Sequence, residues 1–200
     1  AYEIVNNPKT GEVFFCSDEG LTIYKDGKWS NINKEKVKEF PSDRITFAKR
    51  DSKNRIWIGT FSGSVMIDEN GTATNFEKSN TILKGKCITS MDEDENGNLY
   101  FSLYEFDRKE KGKVNNDEGI AIRFADVPFK QFTSENSGMP FNHTNCVLYD
   151  KFEKVLWIST DRAGLVRYDL KDNWENYHNE NSDIPTSYIS TMTFDNKGNL

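Results

Sequence analysis

The sequence predicts an all-β chain made of repeated four-stranded antiparallel units. Three observations carry that reading. A polar turn followed by strand-like residues recurs, at Pro8–Ser17 (PKTGEVFFCS), Asp51–Thr60 (DSKNRIWIGT), Asp94–Ser102 (DENGNLYFS) and Asp150–Thr160 (DKFEKVLWIST), and Asp195–Leu200 (DNKGNL) opens another copy. The aromatic anchors Phe14, Trp57, Tyr100 and Trp157 are spaced by 43, 43 and 57 residues, the last interval being one period plus an insertion. Apolar residues recur at every second position, and no segment keeps the i, i+3, i+4, i+7 spacing of an amphipathic helix over three turns. A period in the forties built of short strands is the signature of β-propeller blades. The expected repeats are about 1–43, 44–86, 87–144 and 145–187, with 188–200 starting a fifth, all within a single propeller region 1–200. Four blades are fewer than most propellers hold, so a larger ring of about seven is expected.

Each repeat divides into four strands. The first precedes the turn: Tyr2–Val5, Ile45–Lys49, Ile88–Met91, Cys146–Tyr149 and, in the fifth copy, Ile189–Phe194. The second carries the aromatic anchor, and Trp57, Tyr100 and Trp157 are expected at equivalent buried positions. A turn ending in Gly20, Gly63, Gly119 or Gly164 follows, where positive φ carries no Cβ penalty. The third strand begins at Leu21, Ser64, Ile120 and Leu165. The fourth holds apolar pairs three apart (Trp29 with Ile32, Ala73 with Phe76, Phe129 with Phe132, Trp174 with Tyr177), a spacing that predicts a bulge or the end of the strand. Ser30–Glu39 and Glu105–Asp117 are charged, lack an apolar stripe, and read as loops.

Composition narrows the function classes. The chain has 200 residues, a net charge of −6, 36% hydrophobic and 13% aromatic residues. No dense basic face can be built from its short, mixed Lys runs, which argues against nucleic acid as a partner. No run approaches the roughly 20 apolar residues that a membrane-spanning helix needs, so no membrane contact is expected of this segment. Cys16, Cys87 and Cys146 are too few and too scattered for a disulfide framework or a zinc site, and Cys87 and Cys146 read as buried thiols.

Asn181–Leu200 (NSDIPTSYISTMTFDNKGNL) and Trp157–Asp169 (WISTDRAGLVRYD) resemble the two-component regulator propeller repeat, with its Asn-Ser-x-Leu-Pro element, its Asp-x-x-Gly-x-Leu-Trp-Ile-Gly-Thr hairpin and its Gly-Gly-Leu turn. The Asn-Ser-x-apolar-Pro element occurs at Asn136–Pro140 and Asn181–Pro185, with a decayed copy at Asn80–Leu83. The first repeat departs, with Phe14-Phe15-Cys16 in place of Trp-Ile-Gly, and the third carries the long insertion. The resemblance implies a periplasmic or otherwise extracytoplasmic sensor region of a bacterial histidine kinase, often a hybrid one, without catalysis of its own. It implies a small-molecule or oligosaccharide ligand. A homodimer through the wider sensor is a further expected assembly, and no cofactor is expected. The rival readings are a standalone secreted or lipid-anchored interaction protein, and a propeller lyase or glycoside-acting enzyme. The enzyme would need converging carboxylates or a His–Glu pair, for which the sequence holds no motif.

Asp92–Gly97 (DEDENG) starts like a calcium loop, but its twelfth position would be Leu103, which cannot supply a carboxylate. A hairpin turn is the expectation, and no metal. His143 and His178 are the only histidines and show no metal-binding spacing. Chain direction puts the loop between strands two and three on the face that carries the blade-to-blade connections. The insertion Tyr104–Glu118 (YEFDRKEKGKVNNDE) is therefore expected to project there, sharing a rim with Asp18-Glu19, Phe61-Ser62 and Asp161-Arg162. Candidate ligand-binding residues are Phe61, Tyr104, Phe106, Arg108, His143, Asp161 and Arg162: rings and charges that suit sugar or peptide contacts.

Overall fold

The structure is a computed structural model that describes residues 3–7, 10–104, 117–124 and 127–200. It holds four antiparallel four-stranded sheets, each a meander whose strands pair in chain order. The first is β1 (Glu3–Asn7), β2 (Glu12–Ser17), β3 (Gly20–Lys25) and β4 (Lys28–Ile32). The second is β5 (Ile45–Arg50), β6 (Ile56–Thr60), β7 (Gly63–Ile67) and β8 (Ala73–Asn75), followed by a 3₁₀ turn at Phe76–Lys78. The third is β9 (Cys87–Glu93), β10 (Leu99–Tyr104), β11 (Asp117–Arg123) and β12 (Lys130–Phe132); the fourth is β13 (Thr144–Asp150), β14 (Val155–Thr160), β15 (Leu165–Tyr168) and β16 (Trp174–Tyr177).

The recurring Asp explains where the first hairpin of the second, third and fourth sheets closes. Asp51 accepts the Arg55 backbone N–H at 2.9 Å and Arg55 Nε at 2.6 Å, and its Oδ2 also takes the Trp57 indole N–H at 2.9 Å. Asp94 accepts the amides of Asn96 and Asn98, the Asn98 side chain at 2.7 Å and the Tyr100 hydroxyl at 2.9 Å. One buried carboxylate thus closes the turn and fixes the anchor two residues into the next strand. Four donors also leave Asp94 committed to its own turn, the hairpin reading of Asp92–Gly97.

The Asn-Ser element closes the other end of the sheet. Asn136 accepts the Thr133 amide and donates to the Gln131 carbonyl, while Ser137 donates to the Thr133 carbonyl. Asn181 and Ser182 make the same three bonds to His178, Asn176 and His178. The fourth strand's frayed end is satisfied, and the apolar residue two positions beyond the Ser is turned inward: Met139 is 3% exposed. The fourth strands end at Ile32, Phe132 and Tyr177, the second member of the predicted pairs. Gly164 (φ +80°) shows why the preceding turn needs Gly, since a Cβ there would lie 2.1 Å from the Tyr177 carbonyl oxygen.

The described residues form two compact units, one made of those within 3–88 and the other of those within 89–104 and 117–200. In the first, Phe14, Cys16 and Leu21 of one sheet pack against Ile45, Ala48, Ile56, Ile58 and Val65 of the next, with Phe40 from the connection. In the second, Tyr100, Ile120, Ile122 and Phe132 pack against Val147, Leu156, Ile158, Val166 and Tyr168. Hydrogen bonds cross the sheet pair as well: Ser102 Oγ donates to the Thr144 carbonyl at 2.8 Å, and Ser90 Oγ accepts the Val147 amide at 3.2 Å.

Four expectations need correction. Trp57 and Tyr100 are fully buried, but Trp157 is half-buried, with its Nε1 inside and unpartnered. The Asp150 turn is one residue longer, and its carboxylate is drawn onto the Phe152 and Glu153 amides instead of the indole. Ile189–Phe194 is not a strand, because a strand is defined by its ladder and no described segment pairs with it; only the turn beyond is built, with Asp195 accepting the Lys197 and Asn199 amides. Part of Ser30–Glu39 is strand, since β4 runs to Ile32. The cysteines are free, and Cys16 and Cys87 are buried, but Cys146, expected to be buried, is only half-buried.

Truncating Trp57 to Ala removes a side chain that is 0% exposed and stacked on Phe76 at 5.7 Å. Urea unfolding is expected to show a loss of about 3–5 kcal/mol, against less than about 2 kcal/mol for Trp157→Ala. Equal losses at the two positions would contradict the distinction drawn here.

Candidate functional site

The antiparallel meander places the β2–β3, β6–β7, β10–β11 and β14–β15 turns at the end of each sheet from which the chain enters the next. Equivalent backbone bonds tie that rim together: the Phe61 amide donates to the Arg44 carbonyl, and the Asp161 amide to the His143 carbonyl, each at 3.0 Å. The residue before the first strand (Arg44 or His143) is thereby held against the residue that ends the second strand or follows it.

In the second unit this brings four predicted residues together. The Tyr104 ring lies 5.3 Å from the His143 imidazole, tilted by 40°. His143 Nδ1 is 3.9 Å from Asp161 Oδ2, and Arg162 Nε is 3.5 Å from the same oxygen. The side chains of His143 and Asp161 are 31% and 24% exposed, and that of Arg162 is 79% exposed. The result is a surface of one ring, one imidazole, one carboxylate and one guanidinium. Its chemistry is that of contact: a ring for an apolar face, and donors and acceptors for hydroxyl or amide groups. At 3.9 Å, His143 and Asp161 stand beyond hydrogen-bonding distance. The insertion starts and ends at this rim, since Tyr104 pairs with Asp117 across β10 and β11. Phe106 and Arg108 lie outside the described residues.

Phe61 belongs to the first unit, where the rim has a related construction. The Arg44 guanidinium sits 3.8 Å over the Phe61 ring, and its Nε donates to Asp18 Oδ1 at 2.9 Å. A nitrogen-bearing side chain between a ring and a carboxylate occurs at both rims, a guanidinium at Arg44 and an imidazole at His143, with ring and carboxylate exchanged between the flanking sheets. Sequence reasoning missed Arg44. Aligning the repeats on Ile45 and Thr144 would have found it, because it holds the same position as His143.

Among the described residues, no group of three or more His, Cys, Asp or Glu is placed to hold a metal ion. Asp92, which the calcium-loop pattern would use, accepts the Tyr149 amide at 2.8 Å. His178 lies in the turn closed by Asn181, where its Nδ1 accepts the Glu180 amide. Two open grooves, one beside Ser52–Arg55 and Asp68–Asn70 and one beside Asp169–Glu175, include none of the candidate residues.

No protein-family model matches the sequence, and no curated protein matches it. Solved structures do. The extracellular domain described as that of the hybrid two-component system BT3049 from B. thetaiotaomicron superposes with a TM-score of 0.68 at 18% identity, over 92% of this chain and 24% of that one. The extracellular domain described as that of the one-component system BT4673 from the same organism gives 0.71 at 14% identity, over 98% and 27%. The fold is that of a β-propeller. This chain spans about a quarter of the length of those two domains. The propeller scaffold also carries enzymes: an inactive variant of virginiamycin B lyase from Staphylococcus aureus matches with a TM-score of 0.60 at 13% identity, over 87% of this chain and 54% of that one.

A strongly perturbed carboxyl lies at the start of β1. Burial raises the Glu3 carboxyl from 4.5 to about 7, against the opposing pull of the Lys49 charge. Its Oε2 is buried without a hydrogen-bond partner. Glu3 stands opposite Cys16 in the β1–β2 ladder, and the thiol is pushed up to about 12, first by burial and then by the Glu3 charge. Between pH 4.5 and 7 the unfolded chain has released the Glu3 proton and the folded chain retains it, so stability falls as pH rises through that window. Glu3→Gln is therefore expected to raise the melting temperature at pH 8 and to leave it unchanged at pH 4. Parallel pH profiles for the two proteins would contradict this.

Proposed function

We propose that this chain is the ligand-reading part of an extracytoplasmic sensor propeller and has no catalysis of its own. The convergence of Tyr104, His143, Asp161 and Arg162 at one rim carries the reading. Tyr104 offers an aromatic face to the C–H face of a sugar ring, and the charged neighbours offer the hydrogen bonds that orient hydroxyl groups. An oligosaccharide fragment is the ligand class this set suits. Residues 1–200 form one propeller region in this reading, and the insertion, with Phe106 and Arg108, extends the contact surface. Phe61, stacked on Arg44, supplies a second contact of the same kind.

The reading is supported by the resemblance of the repeats to two-component regulator propellers and by the signalling proteins among the structural matches. A periplasmic setting, a homodimer formed through the wider sensor and a downstream signalling module belong to the same proposal. An enzymatic reading would need an acid and a base converging on one reacting atom, and the separated His143 and Asp161 do not favour it.

Calorimetric titration of the full-length protein with a panel of oligosaccharides tests the site. Tyr104→Ala and Asp161→Ala are each expected to weaken binding by about tenfold or more, equivalent to ~1.4 kcal/mol, with little change in melting temperature. Oligosaccharide binding that is indifferent to both substitutions would place the site elsewhere. A full panel without binding would remove the proposed ligand class.

A further inference from the structure

Every sheet carries an Asn or Gln at one place on its fourth strand. Ladder pairing sets Thr22 against Asn31, Val65 against Asn75, Ala121 against Gln131 and Val166 against Asn176. The third-strand partner is always two residues beyond the Gly that ends the rim turn. The sheets use these side chains differently. In the first, Asn31 Nδ2 donates across the ladder to Thr22 Oγ1 at 3.3 Å; in the second, Asn75 Oδ1 accepts the Glu77 backbone N–H at 2.8 Å. In the third and fourth the side chain reaches the rim loop. Gln131 Nε2 donates to the Glu118 carbonyl at 2.8 Å and to Glu118 Oε2 at 2.9 Å. Asn176 Nδ2 donates to the Ala163 carbonyl at 2.5 Å and to the Leu165 carbonyl at 3.3 Å. Glu118 and Ala163 are equivalent, because each immediately precedes the Gly of its turn.

The difference follows the length of the rim loop. In the first two sheets it is the two-residue turn Asp18-Glu19 between the paired Ser17 and Gly20, or Phe61-Ser62 between Thr60 and Gly63. Such a turn is fixed by its own ladder. In the fourth sheet Asp161-Arg162-Ala163 spans the gap between Thr160 and Gly164, and in the third the insertion stands between Tyr104 and Asp117. Longer loops have more freedom to lose and need bonds of their own. The third sheet also shifts register between Ser102 and Tyr104, where Glu118 lies on the facing strand, so Gln131 holds the residue at that irregularity. Both clamping residues are themselves anchored. Asn136 Nδ2 donates to the Gln131 carbonyl at 3.2 Å, and Asn181 Nδ2 to the Asn176 carbonyl at 2.8 Å. The Asn-Ser element thus grips the backbone of the residue whose side chain grips the loop.

We infer that Gln131 and Asn176 are positioning residues of the rim site. Asn176 sets the loop that presents Asp161 and Arg162, and Gln131 sets the strand against which Tyr104 pairs. The inference rests on the proposed reading of that rim as a contact surface. Both residues are half-buried on outer strands and act through the backbone of the loop, not by facing the contact surface. Removing either side chain takes no bond from the backbone ladders, and a carbonyl released at the rim can turn to water. The loop therefore loosens while the sheet beneath it stays in register.

Hydrogen exchange of the full-length protein, read by mass spectrometry, tests the positioning without a ligand. The backbone N–H groups of Asp161, Ala163 and Gly164 donate to the His143 carbonyl, Thr160 Oγ1 and the Ser187 carbonyl, so a loosened loop exchanges them faster. Asn176→Ala is expected to speed their exchange by about tenfold, with exchange in β15 and the melting temperature unchanged. Gln131→Ala is expected to do the same at Gly119, whose N–H donates to the Asn142 carbonyl. Asn31→Ala, at the same ladder place in the first sheet, is the control and is expected to leave its rim turn unchanged. Unchanged exchange at the two loops would overturn the inference. Acceleration throughout β15 with a lowered melting temperature would also overturn it, by making Asn176 a support of the strand alone. Calorimetric titration with the oligosaccharide panel then separates this inference from the proposed ligand class. Toward an oligosaccharide that the parent protein binds, Asn176→Ala is expected to weaken affinity by about threefold or more, and Asn31→Ala to leave it unchanged. A loosened loop with unchanged affinity would overturn the positioning role, whereas a panel that the parent protein does not bind would remove the ligand class and leave the exchange result to decide the positioning.

Discussion

A buried carboxylate that satisfies its own turn is the interaction on which the rest of this structure depends. Asp51 and Asp94 are 6% and 7% exposed, and ionised groups at that depth are tolerated only when donors surround them. Here the donors come from the turn amides, from a side chain at the fourth residue beyond, and from the aromatic anchor six residues on. Burial and the neighbouring Asp94 push the Tyr100 hydroxyl far above its ordinary range, so it remains a donor. The carboxylate fixes the length of the hairpin, and the hairpin fixes which residue of the second strand enters the core. Period-two alternation does the rest, because one correct register aligns every apolar position on its face.

Once each sheet is in register, its two faces must be covered, and neighbouring sheets do this with both apolar and polar contacts. Stacking of Tyr100 on Tyr149 at 5.6 Å sits beside the Ser102–Thr144 and Ser90–Val147 hydrogen bonds. Within the first unit, Gly59 passes so close to the next strand that a Cβ would lie 1.8 Å from the Ile88 carbonyl oxygen. Such interfaces leave little freedom along the strands. Freedom remains at the rim, where the turns can vary without disturbing a ladder, and it is there that the chain places its insertion, Tyr104, His143 and Arg162.

Much of this was legible in the sequence because the determining contacts are local. The Asp turns, the Gly turns and the ends of the fourth strands all lie within a few residues of their signals. The rim cluster was partly legible, since strand direction alone places Tyr104, Asp161 and His143 at one end of their sheets. What escaped notice depended on neighbours. Trp157 carries the same motif as Trp57, yet its burial is set by what lies against β14 and by one extra residue in its turn. Ile189–Phe194 has a strand's composition without a ladder to join. Arg44 carries no motif, and its role comes only from its place before β5. The Asn-Ser element was recognised by its pattern, but its three backbone bonds became visible only in three dimensions.

The central claim is that carboxylate and anchor act as one unit, and a double-mutant cycle on Asp94 and Tyr100 tests it most directly. Asp94→Ala, Tyr100→Phe and the double variant would be unfolded in urea beside the parent protein. A buried hydrogen bond to a charged acceptor predicts a coupling energy of about 1.5–3 kcal/mol. Strictly additive losses, with coupling below about 0.5 kcal/mol, would contradict the claim that this bond sets the blade.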